Sequence, residues 1–309
     1  QKMSSRAECK ALDLRIVGLV SDMKFHVAKN CAADLEKLVQ PERRLVLSVT
    51  PLLEFEWADF IRQTVREAGG EFWTFDDQAA VFLDGQLRGS AQWLLQWAME
   101  TYGYEDFRPL PLYRTLTEDA YADEFKRRGH DFVYLDISIA GEPAGRLVIE
   151  LFKSVAPRTC ENFRQLCTGE RGVSKHNPVE QFDLCYRKSI FHRLVPEGWI
   201  QGGDIWYGKG NGGESVYGET FDDENFILSH DRRGVVGMAN RGRHTNGSQF
   251  FITLKSSRWM DTKFVAFGRV VEGSDVLERM ESVGTVNERP LDEIQVADCG
   301  EFVPNLARD

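Results

Sequence analysis

The sequence predicts two domains, an α/β domain over residues 12–103 and a mainly β domain over residues 130–304, joined by a linker with one short helix over residues 104–129. Three observations lead to this prediction. The chain has 309 residues, of which 42% are hydrophobic, and this is enough for two separate cores. Apolar runs of strand length alternate with helical patterns in the first third of the chain. From His130 onward, short strands separated by glycines predominate, which is typical of a closed barrel, and two helical segments would cover its ends.

The first domain is predicted to alternate strands and helices. The run LRIVGLV, residues 14–20, has strand length and is followed by an apolar repeat of helical spacing. The strand LVLSV, residues 45–49, then precedes a helix that ends at a Gly-Gly pair. A hairpin that turns on Asp84 and Gly85 leads into a last helix, which Ser90 is expected to cap.

This order of elements resembles the thioredoxin fold, and the segment AVFLDGQLRG resembles the closing hairpin of glutaredoxins. The resemblance implies a Cys-x-x-Cys motif after the first strand, but SDMKFHVAK at residues 21–29 contains no cysteine. The family also has a cis-proline before the third strand, and no proline lies near Ala79. Because the reaction of these proteins requires a thiolate of low pKa, the domain is predicted to be a redox-inactive binding or docking module.

The linker prediction rests on two prolines in RPLPLYRTLT and on the charged segment that follows. A short helix is expected there, with Thr115 or Thr117 as its cap.

Composition excludes several classes of function. The net charge of −10 is spread over both halves of the chain, so a basic surface for nucleic acid or for an anionic membrane is not expected. The apolar run IVGLV is too short for a signal-peptide core or a membrane span, and the expected location is the cytoplasm. The six cysteines are not spaced with histidines as metal ligands, so no metal and no cofactor are predicted. The loop over residues 171–190, with His176 and Cys185, is expected to bind a partner.

Seven segments of the second domain, spread over residues 131–302, carry a specific resemblance. They are, in chain order, GEPAGRLVIELF, ENFRQLCTGE, FHRLVPEGWIQGGD, YGETFDDENF, GVVGMANRGRHTNGSQFFIT, WMDTKFVAFGRVVEG and ADCGEF. In sequence and order they resemble the signature segments of the cyclophilins. The resemblance implies an eight-stranded antiparallel barrel capped by two helices. It also implies binding of proline-containing segments and peptidyl-prolyl cis-trans isomerase activity.

That activity needs no nucleophile. Rotation about an Xaa-Pro amide faces a barrier of about 20 kcal/mol because conjugation is lost as the bond twists. The prolyl nitrogen becomes basic in the twisted state, so a fixed guanidinium that donates to it stabilises the transition state selectively. By resemblance to the family, Arg193 has this role, and Gln201 and the backbone of Asn240 hold the groups on either side of the bond. The same matching places further residues along the groove and its proline pocket: His192, Ala239, Gln249, Phe251, Trp259, Met260 and Phe264.

The pocket wall departs from the family pattern. Gly198 and Trp199 stand where cyclophilins usually have Phe and Met, and Phe264 stands where they usually have His. Loss of the phenyl ring removes ~2 kcal/mol of apolar contact with the proline. The indole of Trp199 either fills the vacated space or blocks the pocket.

These departures predict proline-peptide binding with attenuated or absent isomerase activity, and the alternative is a purely structural docking protein. Thiol oxidoreductase chemistry is disfavoured by the missing cysteine pair. The resemblance also implies weak binding of cyclosporin. The chain also resembles cyclophilin-fold subunits of the radial spokes of motile cilia. This resemblance implies radial-spoke proteins as partners and the axoneme as a location.

Overall fold

The computed structural model describes residues 11–39, 44–174 and 180–304. The chain divides into two compact units, with the boundary between Arg128 and Gly129. No helix in the described part of the chain is long and apolar enough to cross a membrane.

The first unit is an α/β domain built on a four-stranded sheet. Its strands are β1 (Leu12–Leu19), β2 (Leu45–Leu52), β3 (Ala79–Leu83) and β4 (Gln86–Gly89), and its helices are α1 (Met23–Val39), α2 (Glu54–Ala68), α3 (Ala91–Tyr102) and α4 (Leu110–Arg128). The strand order is β2-β1-β3-β4. β1 is parallel to β2 because α1 connects them, whereas β3 is antiparallel to both of its neighbours.

The alternation of side chains along β1 divides the apolar residues of this unit between the two faces of its sheet. Leu14 and Ile16 are fully buried in one core together with residues of α1 and α3. Val17 belongs to a second, smaller core with Trp57 of α2 and Phe82 of β3. Ser90 precedes α3 as expected, but its side chain makes no capping hydrogen bond.

The segment expected to be a linker with one short helix contains instead the 19-residue helix α4, which packs against α1. Pro111 lies in the first turn, where a helix needs no backbone N–H donor, so it does not interrupt the helix. Thr115 and Thr117 are not caps. Their hydroxyls donate to carbonyl oxygens four residues earlier, those of Pro111 and Tyr113.

The second unit contains an eight-stranded antiparallel sheet. Its strands are β5 (Asp131–Ile139), β6 (Glu142–Leu151), β7 (Arg193–Val195), β8 (Trp199–Gly202), β9 (Val235–Met238), β10 (Phe250–Thr253), β11 (Ala266–Glu272) and β14 (Ile294–Glu301). Their order is β14-β5-β6-β11-β9-β10-β8-β7. The strands β12 (Thr285–Val286) and β13 (Arg289–Pro290) form a separate hairpin, and the helices are α5 (Pro157–Thr168) and α6 (Ser274–Glu281).

The two ends of the large sheet meet just before β7. Ile190 forms an isolated antiparallel bridge with Gln295 of β14, and Phe191 donates its backbone N–H to Ile294. The sheet is therefore closed by a short bridge and not by a full pair of strands. It is a less complete barrel than the closed barrel expected from the sequence. The core contains fully buried aromatic rings, among them Phe163, whose centroid lies 5.0 Å from that of Phe250.

Candidate functional site

Three of the predicted site residues lie side by side on adjacent strands. Arg193 of β7 is directly opposite Gln201 of β8, and Gln201 is directly opposite Phe251 of β10. Residues opposite one another in antiparallel strands point to the same face of a sheet, so the three side chains share one face. Gly237 of β9 continues the row, and a Cβ there would lie 2.6 Å from the Phe251 ring. The glycine therefore leaves the space that the phenyl ring occupies.

The polar part of the site is a cavity of about 400 Å³ lined by Gln201, Ala239, Asn240 and Gln249, among others. The Nε2 of Gln201 donates to the Oε1 of Gln249 at 3.0 Å, and the backbone N–H of Ala239 donates to the carbonyl of Gln249 at 2.9 Å. These bonds fix the amide of Gln201 at the wall of the cavity.

Asn240 presents its backbone to this cavity. Its side chain donates to the carbonyl of Lys263 at 3.0 Å and accepts from the N–H of Gly242 at 3.2 Å. Within the described part of the chain, the backbone N–H and C=O of Asn240 have no hydrogen-bond partner. Both groups are therefore available as hydrogen-bond partners at the cavity wall.

The apolar part of the site centres on Phe251, which is 2% exposed. Its ring stacks on that of His230 at 5.5 Å and meets the edge of Phe264 at 5.6 Å. Met260 is buried, and its carbonyl accepts the N–H of Phe264 at 3.1 Å. The three predicted proline-pocket residues are thus brought together.

His230 was missed by the sequence analysis because a lone histidine carries no local signal of its place in the fold. It is fully buried, and its Nδ1 lies 2.9 Å from the Oδ1 of Asp261. Burial lowers its pKa, although Asp261 acts in the opposite direction.

Arg193 is held by groups of this chain. Its Nε donates to the Oε2 of Glu288 at 2.7 Å, and its guanidinium carbon lies 5.0 Å from the centroid of the Trp199 ring. The Trp199 ring in turn lies 5.6 Å from that of Trp259, at an interplanar angle of 61°. Trp199 therefore lies between the arginine and the groove tryptophan. Glu288 was not anticipated from the sequence, since it lies 95 positions from Arg193.

Two predicted residues have other surroundings. His192 is buried, and its ring lies 2.7 Å from where a Cβ on Gly210 would stand, so it supports the loop after β8. Burial also lowers its pKa. Gly198 does not have a positive φ, but a Cβ there would lie 3.0 Å from the Cγ1 of Val195 and 3.2 Å from its carbonyl oxygen.

The loop after β8 is organised by Asp204, a second residue that the sequence analysis did not single out. This carboxylate is 1% exposed and accepts hydrogen bonds from backbone N–H groups. Burial by itself raises its pKa, but these donors more than offset that effect and hold the pKa below its usual range. The donors are the N–H groups of Trp206, Tyr207, Lys209, Gly210, Asn211 and Gly212. An aspartate followed by the glycine-rich segment GKGNGG is the sequence signal that would have pointed to this loop.

The comparison with protein families decides the identity of the second unit. The model described as "Cyclophilin type peptidyl-prolyl cis-trans isomerase/CLD" matches residues 134–301. The chain belongs to the cyclophilin family. The resemblance of the seven sequence segments to the cyclophilins is thus confirmed.

Similarity to some relatives extends over both units. The chain is 46% identical over 292 residues to the human protein named "Probable inactive peptidyl-prolyl cis-trans isomerase-like 6", covering 94% of this chain and 92% of that protein. It is 48% identical over 290 residues to the mouse protein of the same name, covering 94% and 91%. The mouse NK-tumor recognition protein is 48% identical over 177 residues, which are 57% of this chain and 12% of that protein.

Proposed function

We propose that the cyclophilin domain binds proline-containing segments of partner proteins and isomerises the prolyl bond slowly or not at all. One observation carries this proposal. The cavity that would hold the peptide is lined by Gln201, whose amide is fixed at its wall by Gln249, and by the unpaired backbone of Asn240. The guanidinium of Arg193, in contrast, is engaged by Glu288 and Trp199. Peptide binding and prolyl isomerisation depend on different groups here, so binding is retained while isomerisation is impaired. The names of the human and mouse relatives are consistent with this proposal.

The test measures binding and turnover on the same full-length protein. A short peptide with one Xaa-Pro bond is titrated by calorimetry, and cis-trans exchange is followed by NMR. We expect binding together with a rate constant at least ~100-fold below that of an active cyclophilin, equivalent to ~2.7 kcal/mol of transition-state stabilisation. Gln201→Ala should weaken binding about tenfold, ~1.4 kcal/mol. Gln86→Ala, an exposed glutamine of β4, is the control. A protein that does not bind the peptide, or that isomerises it at an ordinary rate, would contradict the proposal.

Weak cyclosporin binding belongs to the same proposal. Trp259 is accessible to a ligand, because it is 54% exposed. The ammonium of Lys263 lies 5.6 Å from the centroid of its ring. Contacts at Gly198 and Phe264 differ from the family pattern, and we expect a lower affinity than that of a typical cyclophilin. Calorimetric titration of the full-length protein with cyclosporin measures this, and tight binding would show that Trp199 restores the pocket.

For the first unit we propose a thioredoxin-like docking domain without redox activity. The strand order β2-β1-β3-β4 and the parallel pair β1 and β2 support the topology. Burial raises the pKa of the Cys31 thiol to about 12, and Cys31 lies inside α1, away from the helix start where a thiolate would be stabilised. Glutathione-dependent disulfide reduction should be undetectable. Turnover that disappears in Cys31→Ser would contradict this proposal.

We further propose that the two units act together as a subunit of a larger assembly, with the axoneme of motile cilia and its radial-spoke proteins as the candidate site and partners. A purely structural role is the second candidate, favoured by the engagement of Arg193. Imaging of a tagged full-length protein in ciliated cells tests the location. Rescue of a loss-of-function phenotype by Gln201→Ala would favour the structural role over peptide binding.

A further inference from the structure

Glu288 occupies a backbone conformation that glutamate rarely adopts. It is the second residue of the two-residue turn between β12 and β13, and Asn287 and Glu288 have φ values of 50° and 62°. Positive φ at both positions defines a type I′ turn, in which Asn-Gly is the favoured pair. A side chain at the second position is strained. Strain of this kind at a non-glycine residue points to a role for the side chain.

The contacts of Glu288 show what that role is. Its carbonyl oxygen accepts the backbone N–H of Leu194 at 2.7 Å, which fixes the turn against β7. Its carboxylate accepts the Nε–H of Arg193 at 2.7 Å. Backbone and side chain of one residue therefore contact two consecutive residues of β7, and the carboxylate needs no rearrangement to reach the arginine.

The aromatic side of Arg193 completes the arrangement. The guanidinium lies over the Trp199 ring at 5.0 Å while its Nε–H is bonded to Glu288. A carboxylate and an indole together neutralise and orient the cation. The side chains of Arg193 and Glu288 are 42% and 49% exposed, so solvent screens the pair, and added salt weakens it.

We propose that Glu288 is an intramolecular inhibitor of the isomerase reaction, which holds the Arg193 guanidinium in a charge pair and thereby withholds it from the prolyl nitrogen of a bound peptide. This inference rests on the proposed binding of proline-containing segments in the groove. Glu288 acts through its contact with Arg193, so it is a positioning residue. Its removal should change the rate of isomerisation and leave peptide affinity unchanged.

The experiment compares Glu288→Gly and Glu288→Gln in the full-length protein, with a short Xaa-Pro peptide as probe. Glycine suits the positive φ and removes the carboxylate, whereas glutamine retains the size of the side chain and removes its charge. We expect the rate of cis-trans exchange to rise about tenfold in the glycine variant and about threefold in the glutamine variant. The peptide Kd should stay within about twofold of the parent value. Glu293→Gln, an exposed glutamate on the segment after β13, is the control.

Two further readouts separate inhibition from a merely structural effect. The Nε–H signal of Arg193 in a ¹⁵N NMR spectrum should shift when the carboxylate is removed, and Glu288→Gly should have no effect on rate in an Arg193→Ala background. Raising the salt concentration should speed the parent protein more than Glu288→Gln. Peptide binding without any rate gain in the two Glu288 variants would overturn the inference alone. Failure of all variants and the parent to bind the peptide would overturn the proposed function, and the inference with it.

Discussion

At the scale of single residues, the site depends on a few side chains whose partners lie far away in the sequence. Arg193, Gln201 and Phe251 form a row across three strands, a relation that their spacing in the chain does not reveal. All three were nevertheless predicted as site residues, because the motifs that contain them resemble family segments whose order is fixed. Glu288 was beyond such reasoning, since its contact with Arg193 arises only when the hairpin of β12 and β13 packs beside β7.

The pocket wall leads to a prediction at this scale. Gly198→Phe combined with Trp199→Met should raise catalytic efficiency about tenfold, since ~1.4 kcal/mol of restored transition-state contact corresponds to one decade. Part of the gain comes from removing the indole that lies against Arg193. Glycine is not required at position 198 for its backbone angles, but the new Cβ presses on Val195. Melting curves must therefore accompany the kinetics. A well-folded double variant no faster than the parent would assign the deficit to Phe264 or Glu288.

Cys185 provides a second prediction, on thiol reactivity. Its Sγ lies 3.9 Å from that of Cys299, and the contact between the two thiols lowers the pKa of Cys185 and raises that of the more deeply buried Cys299. Thiolate is the reactive form, so iodoacetamide should modify Cys185 at a lower pH than the other described cysteines, whose pKa values burial raises. Peptide mapping by mass spectrometry measures the order. Cys299→Ala should move the reactivity of Cys185 to higher pH. Labelling of Cys299 at a lower pH than Cys185 would contradict this order of the two pKa values.

At the scale of elements, the strands and helices of the first unit followed from apolar periodicity, but α4 did not. Pro109 and Pro111 at its start and its many charged residues are typical of a linker, and its helical character depends on contacts distant in sequence. Arg108, just before α4, pairs with Asp34 of α1 at 2.7 Å and with Asp106 at 3.1 Å. The hydroxyl of Tyr113 donates to Asp106 at 2.7 Å. This network anchors the start of α4 to α1.

The network predicts the effect of removing its cation. Arg108→Met leaves Asp34 and Asp106 without their shared partner in a half-buried place and should destabilise the first unit by ~1–3 kcal/mol. Arg114→Met, at an exposed position of α4, is the matched control and should change stability by less than ~0.5 kcal/mol. Hydrogen exchange of the amides of α1 and α4 in the full-length protein reports the difference. Unchanged exchange in Arg108→Met would show that α4 is held by other contacts.

At the scale of the whole molecule, both units contain buried histidine whose contribution to stability depends on pH, at one position in the first unit and at two in the second. Burial lowers the pKa of His26 in the first unit and of His192 and His230 in the second below the usual histidine value of about 6.5. Below pH 6.5 the unfolded chain therefore binds more protons than the folded chain. The stability that the neutral buried histidines contribute is present above that pH and is lost as the pH falls toward their pKa values in the folded state. Both units should melt at lower temperature at pH 5.5 than at pH 7.5. His230→Gln should reduce the difference in Tm between the two pH values for the second unit only. Equal Tm values of the parent protein at the two pH values would contradict the prediction.

The glycine-rich loop held by Asp204 has a consequence for the thermodynamics of peptide binding. Six backbone N–H groups donate to one buried carboxylate, so a segment that would otherwise sample many conformations is already ordered before any ligand arrives. Gly212, the last of these donors, lines the cavity next to Gln249. Little conformational entropy is therefore lost in the wall of the groove when a peptide binds. The heat-capacity change on binding should then match the small apolar area of a short peptide, with no additional term from folding of the loop.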